Sequence, residues 1–366
     1  MKIVYEGYYG YKNAGDDSFV EVCAWGAKKY WSCENNFFVG KDLPQTLNNI
    51  KTENKIPYLK GLDRLKMFLA FNKANFIISA GGSTFSKIPY HSNKSLAKFY
   101  SDFSKTKLGA MGVSLGPFKN SKEENIVKDY LRSLSFLSLR DTVSYNYAKS
   151  IDNLPYVPIK AFDLAALLPL VYNYNEPKNN EFSEKKVLGI SICNYESYSM
   201  GDINKEQKRN LFFEELIMLF SHKTNIIFKV FIINDHPTLG DRKISNELIR
   251  NIPSERVTIV NYKKNLKKTW LEISSCDCMI STRLHASIFA CYAKIPFFLI
   301  EYHRKCADFL DDVGQTKKYR LYDADISPNE AFSIISRAIF ENYIYPKNIK
   351  LTMDLAKKNF TETLFD

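Results

Sequence analysis

Long apolar runs are the first thing this 366-residue sequence lacks. The longest, Ala286 to Ile300, is interrupted by Lys294 and Pro296 and falls short of the ~20 residues that a spanning helix needs. After Met1 and Lys2 the chain goes straight into "IVYEGYYGYKNAGDD", too polar for the apolar core of a secretion signal. A soluble cytoplasmic protein is therefore the expectation. Cysteine provides no scaffold: the seven residues are odd in number, scattered and mostly inside apolar runs, which reads as reduced thiols. Cys276 and Cys278 are the one close pair, no second Cys or His pair stands at zinc spacing, and no metal is expected. Internal repeats and low-complexity tracts are missing too.

Acidic residues are outnumbered, 40 Asp and Glu against 51 Lys and Arg. The net charge of +11 suits anionic partners: phosphate substrates, nucleic acid or an acidic membrane surface. The basic residues are spread along the chain, the densest cluster being "KKNLKK" at 263–268. A nucleic-acid binder would cluster them among aromatics, so that rival class is disfavoured and no specific nucleic-acid partner is expected.

What is present is a chain long enough for two domains with an ordinary apolar fraction. Short β-branched or aromatic runs alternate with helix-period segments, the pattern of βα units around a parallel sheet. Strands are expected near 2–8, 36–39, 75–80, 107–113 and 136–139, with helices near 16–31, 60–72, 93–104, 121–133 and 142–149. A polar stretch over 172–186, "YNYNEPKNNEFSEKK", reads as a linker closing a first domain at 1–171. Strands resume at 187–193, 225–233, 256–262, 278–281 and 296–302, separated by helices near 205–221, 239–250, 267–274, 284–293 and 304–312. The second domain spans 187–345, and a C-terminal helix over 346–366 is placed to pack back on the first. The fold class is α/β: two Rossmann-like doubly wound domains facing across a cleft, with strand C-termini and helix N-termini lining it.

Several strand ends carry polar residues. In "EGYYGYKNAGDDSF" (6–19), Gly7, Gly10 and Gly15 allow sharp turning and Asp16 or Asp17 can cap the next helix. The spacing is not the dinucleotide fingerprint, and the stretch is either a ligand loop or a plain βα turn. "IISAGGSTF" (77–85) ends in Gly81, Gly82 and Ser83, where backbone N–H groups can approach an anion or merely make a tight connection. Gly112, Gly116 and Pro117 mark a similar edge. Arg140 ends the strand at 136–139 and either grips a carboxylate or phosphate or pairs with Asp141 at the surface.

"MISTRLHASIFA" (279–290) is sharper. Ser281 or Thr282 is expected to cap the helix whose first turn holds Arg283 and His285. A cation there opposes the helix dipole, whereas an anion beside it is favoured, so Arg283 reads as an anion anchor. The same location would keep the His285 imidazole neutral and able to exchange a proton near pH 7. His303, Arg304 and Lys305 stand at another helix start, and His236 is either a ligand contact or a turn residue before Pro237.

These residues resemble the polysaccharide pyruvyl transferases. The match rests on "GYYGYKNAGDDS", the "AGGS" at 80–83, the "SLRD" at 138–141, and "STRLHASIFACYAKIPFFLIEYHRKCADFLDDVG" at 281–314. The chain departs from the family where three glycines are usual at 80–82, where Asp17 stands for Glu, and where "TLGD" follows His236-Pro237.

The resemblance implies a GT-B architecture and transfer of pyruvate from phosphoenolpyruvate onto two hydroxyls of a sugar as a cyclic ketal, releasing phosphate. It implies Arg140, Arg283 and His285 as donor-binding and catalytic groups. Asn13, Gly15, Asp16, Gly81, Gly82, Ser83, Ser281, Thr282, Leu284, Tyr302 and Lys305 would be substrate-binding. Arg140, Arg283 and Lys305 would anchor the donor's two anionic groups, His285 would move the proton, and Asp16 would be a base or only a cap. No cofactor is expected beyond phosphoenolpyruvate as donor substrate. The acceptor would be a lipid-linked oligosaccharide or a nucleotide sugar in cell-surface polysaccharide biosynthesis, with peripheral contact at an anionic membrane. The nearest rival is a GT-B glycosyltransferase using a nucleotide sugar.

Overall fold

A computed structural model describes residues 1–40, 42–47, 63–175, 185–323 and 325–363. The start of the helix expected at 60–72 and residues 176–184 of the expected linker lie outside the described residues. The chain folds as two compact units: Met1–Tyr11, Asp16–Val171 and Lys350–Asp366 form one, and Lys12–Gly15 with Tyr172–Ile349 form the other.

The first unit runs β1 (Lys2–Tyr9), α1 (Ala14–Trp31), β2 (Asn35–Gly40), α2 (Asp63–Phe71), β3 (Phe76–Ala80), α3 (Asn93–Asp102), β4 (Lys107–Val113), α4 (Ser121–Leu131), β5 (Phe136–Leu139), α5 (Thr142–Lys149), β6 (Ile159–Lys160) and α6 (Leu168–Val171). Its six-stranded sheet has the order β2-β1-β3-β4-β5-β6, and all described pairings are parallel. Every residue of β3 and β5 is buried, as expected for strands covered by helices on both faces. Val4, Ile77, Leu108 and Leu137 form the core of one face with Phe71, Val127 and Leu131 from the helices.

The second unit contains β7 (Val187–Ser191), α7 (Tyr195–Ser199), α8 (Ile203–Lys223), β8 (Ile227–Ile232), α9 (Arg242–Leu248), β9 (Val257–Asn261), α10 (Leu266–Ser274), β10 (Cys278–Ser281), α11 (Leu284–Tyr292), β11 (Phe297–Leu299), α12 (Arg304–Val313) and α13 (Pro328–Phe340). The five-stranded sheet is again parallel, in the order β11-β10-β7-β8-β9. Phe213, Leu216 and Phe220 of α8 pack with Leu188, Ile190 and Phe228 on the sheet.

The final helix, α14 (Ile349–Thr361), carries the buried Asn359. Its amide donates to the Phe162 carbonyl at 2.9 Å, and its Oδ1 accepts from Ser138 Oγ at 2.7 Å, which ties the helix to β5 of the first unit.

Each sheet has one place where its strand order reverses direction, and open α/β sheets bind ligands in the crevice outside the strand C-termini there. In the first unit that place lies between β1 and β3; in the second, between β7 and β10. The segment Lys12–Gly15, expected within the first domain, belongs to the second unit. Ala14 N donates to Ile233 O at 2.9 Å, Asp235 N donates to Lys12 O at 2.8 Å, and Asn13 bridges Asn234. Those bonds extend the end of β8 instead of following β1. Among the described residues, no helix is long and apolar enough to cross a membrane.

Candidate functional site

In the second unit the crevice is floored by the turns that follow β7 and β10. Thr282 N donates to Ser191 O at 2.9 Å, and Cys193 N donates to Thr282 Oγ1 at 2.8 Å, so the two turns are stitched side by side. Ser281 Oγ donates to the Arg283 carbonyl at 3.0 Å and lies 2.7 Å from Ser287 Oγ. Ser281 and Thr282 are fully buried and Leu284 is nearly so. Their side chains shape the turn.

The expected cap is therefore corrected. Arg283 itself occupies the N-cap position of α11, with extended backbone and no side-chain cap bond, so it stands just before the helix and not in its first turn. Ser281 and Thr282 do not cap because their hydroxyls are committed to the neighbouring turn and to Ser287.

The Arg283 guanidinium is held by Asp241, a carboxylate 1 % exposed just before α9. Nε donates to Oδ1 at 2.9 Å and Oδ2 at 3.0 Å, and Nη2 donates to Oδ1 as well. Asp241 Oδ2 also accepts from Asn234 N at 3.0 Å. Burial alone would lower the Arg283 pKa, but Asp241, Cys193 and Tyr198 together raise it well above its ordinary value, so the cation persists. Burial pushes the Asp241 carboxyl up, against the pull of Arg283. The pair is a desolvated, geometrically specific ion pair.

His285 lies in the first turn of α11 and meets Gly15. A Cβ built on Gly15 would fall 2.2 Å from His285 Nδ1 and 2.6 Å from Cγ, so only glycine lets the loop approach the imidazole this closely. Gly15 N donates to Asn13 Oδ1 at 3.1 Å, which fixes the loop's turn. Asn13 and Gly15, expected in the first domain and apart from Arg283 and His285, are brought to the same end of the second sheet as those two residues.

Tyr302 and Lys305 reach this end through α7. Tyr302 packs at 5.2 Å from the Tyr195 ring and carries the Arg209 guanidinium 4.6 Å over its own ring; Lys305 Nζ lies 5.1 Å from the Tyr195 ring. Burial raises the Tyr302 phenol well above its ordinary value. His303 caps α12 by accepting from Lys305 N at 3.2 Å, and burial, then Lys305 and Arg304, lower its pKa to about 4. His236 is a turn residue: its Nδ1 accepts from Thr238 N at 3.3 Å and Leu239 N at 3.2 Å.

The first unit gathers a second set. Arg140 just past β5 is buried, and it does not pair with Asp141 at the surface. Its Nη1 donates to Asp163 Oδ2 at 3.0 Å, Nε to Ser114 Oγ at 2.7 Å, and Nη2 to Ser83 Oγ at 2.8 Å. Asp141 instead caps α5, accepting from Ser144 N at 2.7 Å, and receives Ser114 Oγ at 2.6 Å. Gly81, at φ +74° with Phe19 where a Cβ would stand, and Gly82 lead β3 toward Ser83. Asp16 Oδ1 lies 3.7 Å from a Cβ built on Gly82, which puts the expected Asp16, Gly82, Ser83 and Arg140 at one sheet edge. Neither Asp16 nor Asp17 is the cap of α1: both lie inside its first turn, and Asp17 Oδ1 accepts from Gly10 N at 2.9 Å.

The polysaccharide pyruvyl transferase family model matches residues 13–304. The chain belongs to that family. The matched span takes in the Gly15 loop, Gly81–Ser83, Arg140 and the Arg-Leu-His turn, so both polar sets, Lys305 excepted, fall within the polysaccharide pyruvyl transferase region. No curated protein matches the chain.

Solved structures resemble the chain in fold. A UDP-GlcNAc 2-epimerase from Methanocaldococcus jannaschii has a TM-score of 0.62 at 11% identity, covering 97% of this chain and 97% of that one. The Neisseria meningitidis UDP-GlcNAc 2-epimerase bound to UDP-GlcNAc gives 0.56 at 11% identity, covering 99% of each chain. A Rickettsia bellii UDP-N-acetylglucosamine 2-epimerase gives 0.56 at 10% identity over 99% of this chain and 95% of that one. The fold of this polysaccharide pyruvyl transferase family member is thus of the GT-B type, with two parallel-sheet α/β domains.

Asp241, Asp163, Ser114 and α7 are additions that the sequence did not single out for these sites. A signal existed for Asp163, a lone acid inside the apolar run "KAFDLAALL"; Asp241, in "TLGDRKI", carries none of that kind. What each one pairs with is set only by the fold.

Proposed function

We propose that the protein transfers pyruvate from phosphoenolpyruvate to two hydroxyls of a sugar acceptor, making a cyclic ketal and releasing phosphate. The observation that carries this reading is the Arg283–His285 turn at the β7/β10 reversal, with Gly15 against the imidazole, inside the span matched by the family. Phosphoenolpyruvate presents a carboxylate and a phosphate. Arg283, kept cationic by Asp241, and Lys305 are the second unit's groups assigned to them.

His285 in its protonated form delivers a proton to C3 of the enol, making the methyl group, while a sugar hydroxyl bonds to C2 and passes its proton to the imidazole, which restores it. The C2–O bond to phosphate then breaks, the electron pair leaving with the phosphate, and the second hydroxyl closes on C2 and gives its proton to the departing phosphate. The departing phosphate accepts hydrogen bonds from the fixed guanidinium edge. This chemistry needs no cofactor beyond the donor substrate.

Asp16, Gly82, Ser83 and Arg140 of the first unit are the polar set we assign to the acceptor, a lipid-linked oligosaccharide or a nucleotide sugar of a cell-surface polysaccharide. A net charge of +11 supports peripheral contact with an anionic membrane face, which vesicle co-sedimentation tests: no binding to anionic vesicles at low salt counts against it. The experiment for the reaction is incubation with phosphoenolpyruvate and candidate acceptors, scored by phosphate release and by mass spectrometry of the acceptor.

A second reading is a nucleotide-sugar enzyme, favoured by fold neighbours such as the Neisseria meningitidis epimerase bound to UDP-GlcNAc. It predicts release of a nucleoside diphosphate and no consumption of phosphoenolpyruvate.

A further inference from the structure

Arg283 directs two of its three nitrogens at Asp241. The edge left over is Nη1, and among the described residues one group stands there: the Tyr198 hydroxyl, 3.4 Å away, with the tyrosine ring 5.9 Å from the guanidinium carbon. Tyr198 receives a hydrogen bond from Arg283, while its own proton has no acceptor among the described residues. An N–H donor and an O–H donor therefore stand side by side at the β7/β10 reversal.

Tyr198 is not a loose surface side chain. It lies in α7, whose Glu196 is gripped by Arg209 through Nη1 at 2.9 Å and Nη2 at 3.0 Å, and whose Ser197 N donates to Glu206 at 3.1 Å. Met200, in the left-handed region at φ 57°, ends the helix, and Gly201 N closes it back on Glu196 O at 3.0 Å. The Tyr195 ring packs edge-on at 5.3 Å and limits where the Tyr198 ring can turn. Burial raises the Tyr198 phenol well above its ordinary value, so it remains a donor across the neutral range.

We propose that Tyr198 is a further substrate-contacting residue, which with Arg283 Nη1 forms a two-donor site for one anionic group, carboxylate or phosphate, of the donor substrate. Because Asp241 offsets the charge of Arg283, the pair recognises the anion by the direction of two hydrogen bonds more than by net charge. Specificity for a planar or tetrahedral oxyanion follows, since a ligand lacking it would leave the Tyr198 proton without an acceptor. The assignment of the anion to phosphoenolpyruvate rests on the proposed function.

The test is titration of the wild-type protein and Tyr198→Phe with phosphoenolpyruvate and, separately, with inorganic phosphate, alongside thermal melting. The expected result is wild-type binding of phosphoenolpyruvate and an affinity lower by about tenfold in Tyr198→Phe at an unchanged Tm. Equal affinities in the two proteins overturn the role of Tyr198 and leave the donor reading standing. A wild type that ignores phosphoenolpyruvate but loses phosphate affinity by about tenfold on the same substitution retires the donor reading and keeps the two-donor anion site. Indifference of the wild type to both ligands overturns both.

Discussion

Arg140 and Arg283 occupy similar places in their sheets, just past the end of a buried parallel strand, and each is held by a buried carboxylate from elsewhere in the chain. Their remaining chemistry differs. Arg140 has a protein partner on all three nitrogens, in Ser114, Asp163 and Ser83, and is 6 % exposed. Arg283 directs two nitrogens at one carboxylate and keeps an edge beside Tyr198. An arginine at a strand's C-terminal end can thus be a hub that fixes three loops, or an anchor with one side still to offer. Counting its donors distinguishes the two.

The largest expected effect comes from removing the carboxylates. Asp163→Ala and Asp241→Ala each leave a buried guanidinium uncompensated, and each is expected to lower the unfolding free energy by about 3–5 kcal/mol in denaturant titration. The comparison sharpens with the conservative variants. Asp241→Glu should restore stability while leaving KM for phosphoenolpyruvate raised, because the guanidinium edge is re-aimed. Asp163→Glu should move stability with little change in KM for that donor. Equal KM effects would erase the distinction between hub and anchor.

Next is His285→Ala, expected to lower turnover at least about 100-fold with Tm unchanged, measured by phosphate release. Retention of near wild-type turnover in a folded protein would remove His285 from the proton-transfer step.

The two glycine turns give a smaller contrast. Gly15→Ala drives a methyl group into the imidazole and is expected to lower turnover about tenfold through displacement of His285. Gly82→Ala meets nothing closer than 3.6 Å and carries only the strain of φ +79°, about 1 kcal/mol of stability. Comparable losses of turnover from both would show that position 15 is not special.

The smallest effect is a pH dependence. The folded His303 pKa of about 4 lies below the ordinary histidine value of 6.5, so the folded state prefers the neutral ring. Its contribution is present above pH 6.5 and is lost as pH falls through 4. Melting temperature measured from pH 7 down to 4 should therefore fall more in wild type than in His303→Asn, which keeps a cap acceptor without the titration. Parallel curves would show that another group carries the acid sensitivity.

Much of the architecture was legible because parallel strands and their covering helices write their burial into local periodicity. The helix expected at 142–149 is found at Thr142–Lys149, and the strand expected at 278–281 at Cys278–Ser281. Elements too short to show a period escape such a reading: β6, Ile159–Lys160, and α7, whose "YESYS" is polar throughout. Arg283 was legible as a cation set against a helix dipole, His285 as the histidine beside it, and Gly15 as a turn glycine. Their partners were not, because Asp241 reaches Arg283 across 42 positions and Gly15 reaches His285 across most of the chain. The N-cap of α11 was hidden for a related reason: Ser281 and Thr282 have the chemistry of caps, but the fold uses their hydroxyls to tie β10 to β7 and to hold Ser287.

The most direct measurement is mass spectrometry of acceptors after incubation with phosphoenolpyruvate, run in parallel on the wild-type protein and on His285→Ala. Candidate acceptors are nucleotide sugars and lipid-linked saccharides. The account predicts a pyruvyl ketal on one acceptor with one phosphate released per ketal, and neither product with the variant. Release of a nucleoside diphosphate from a sugar nucleotide, with phosphoenolpyruvate left intact, would contradict it.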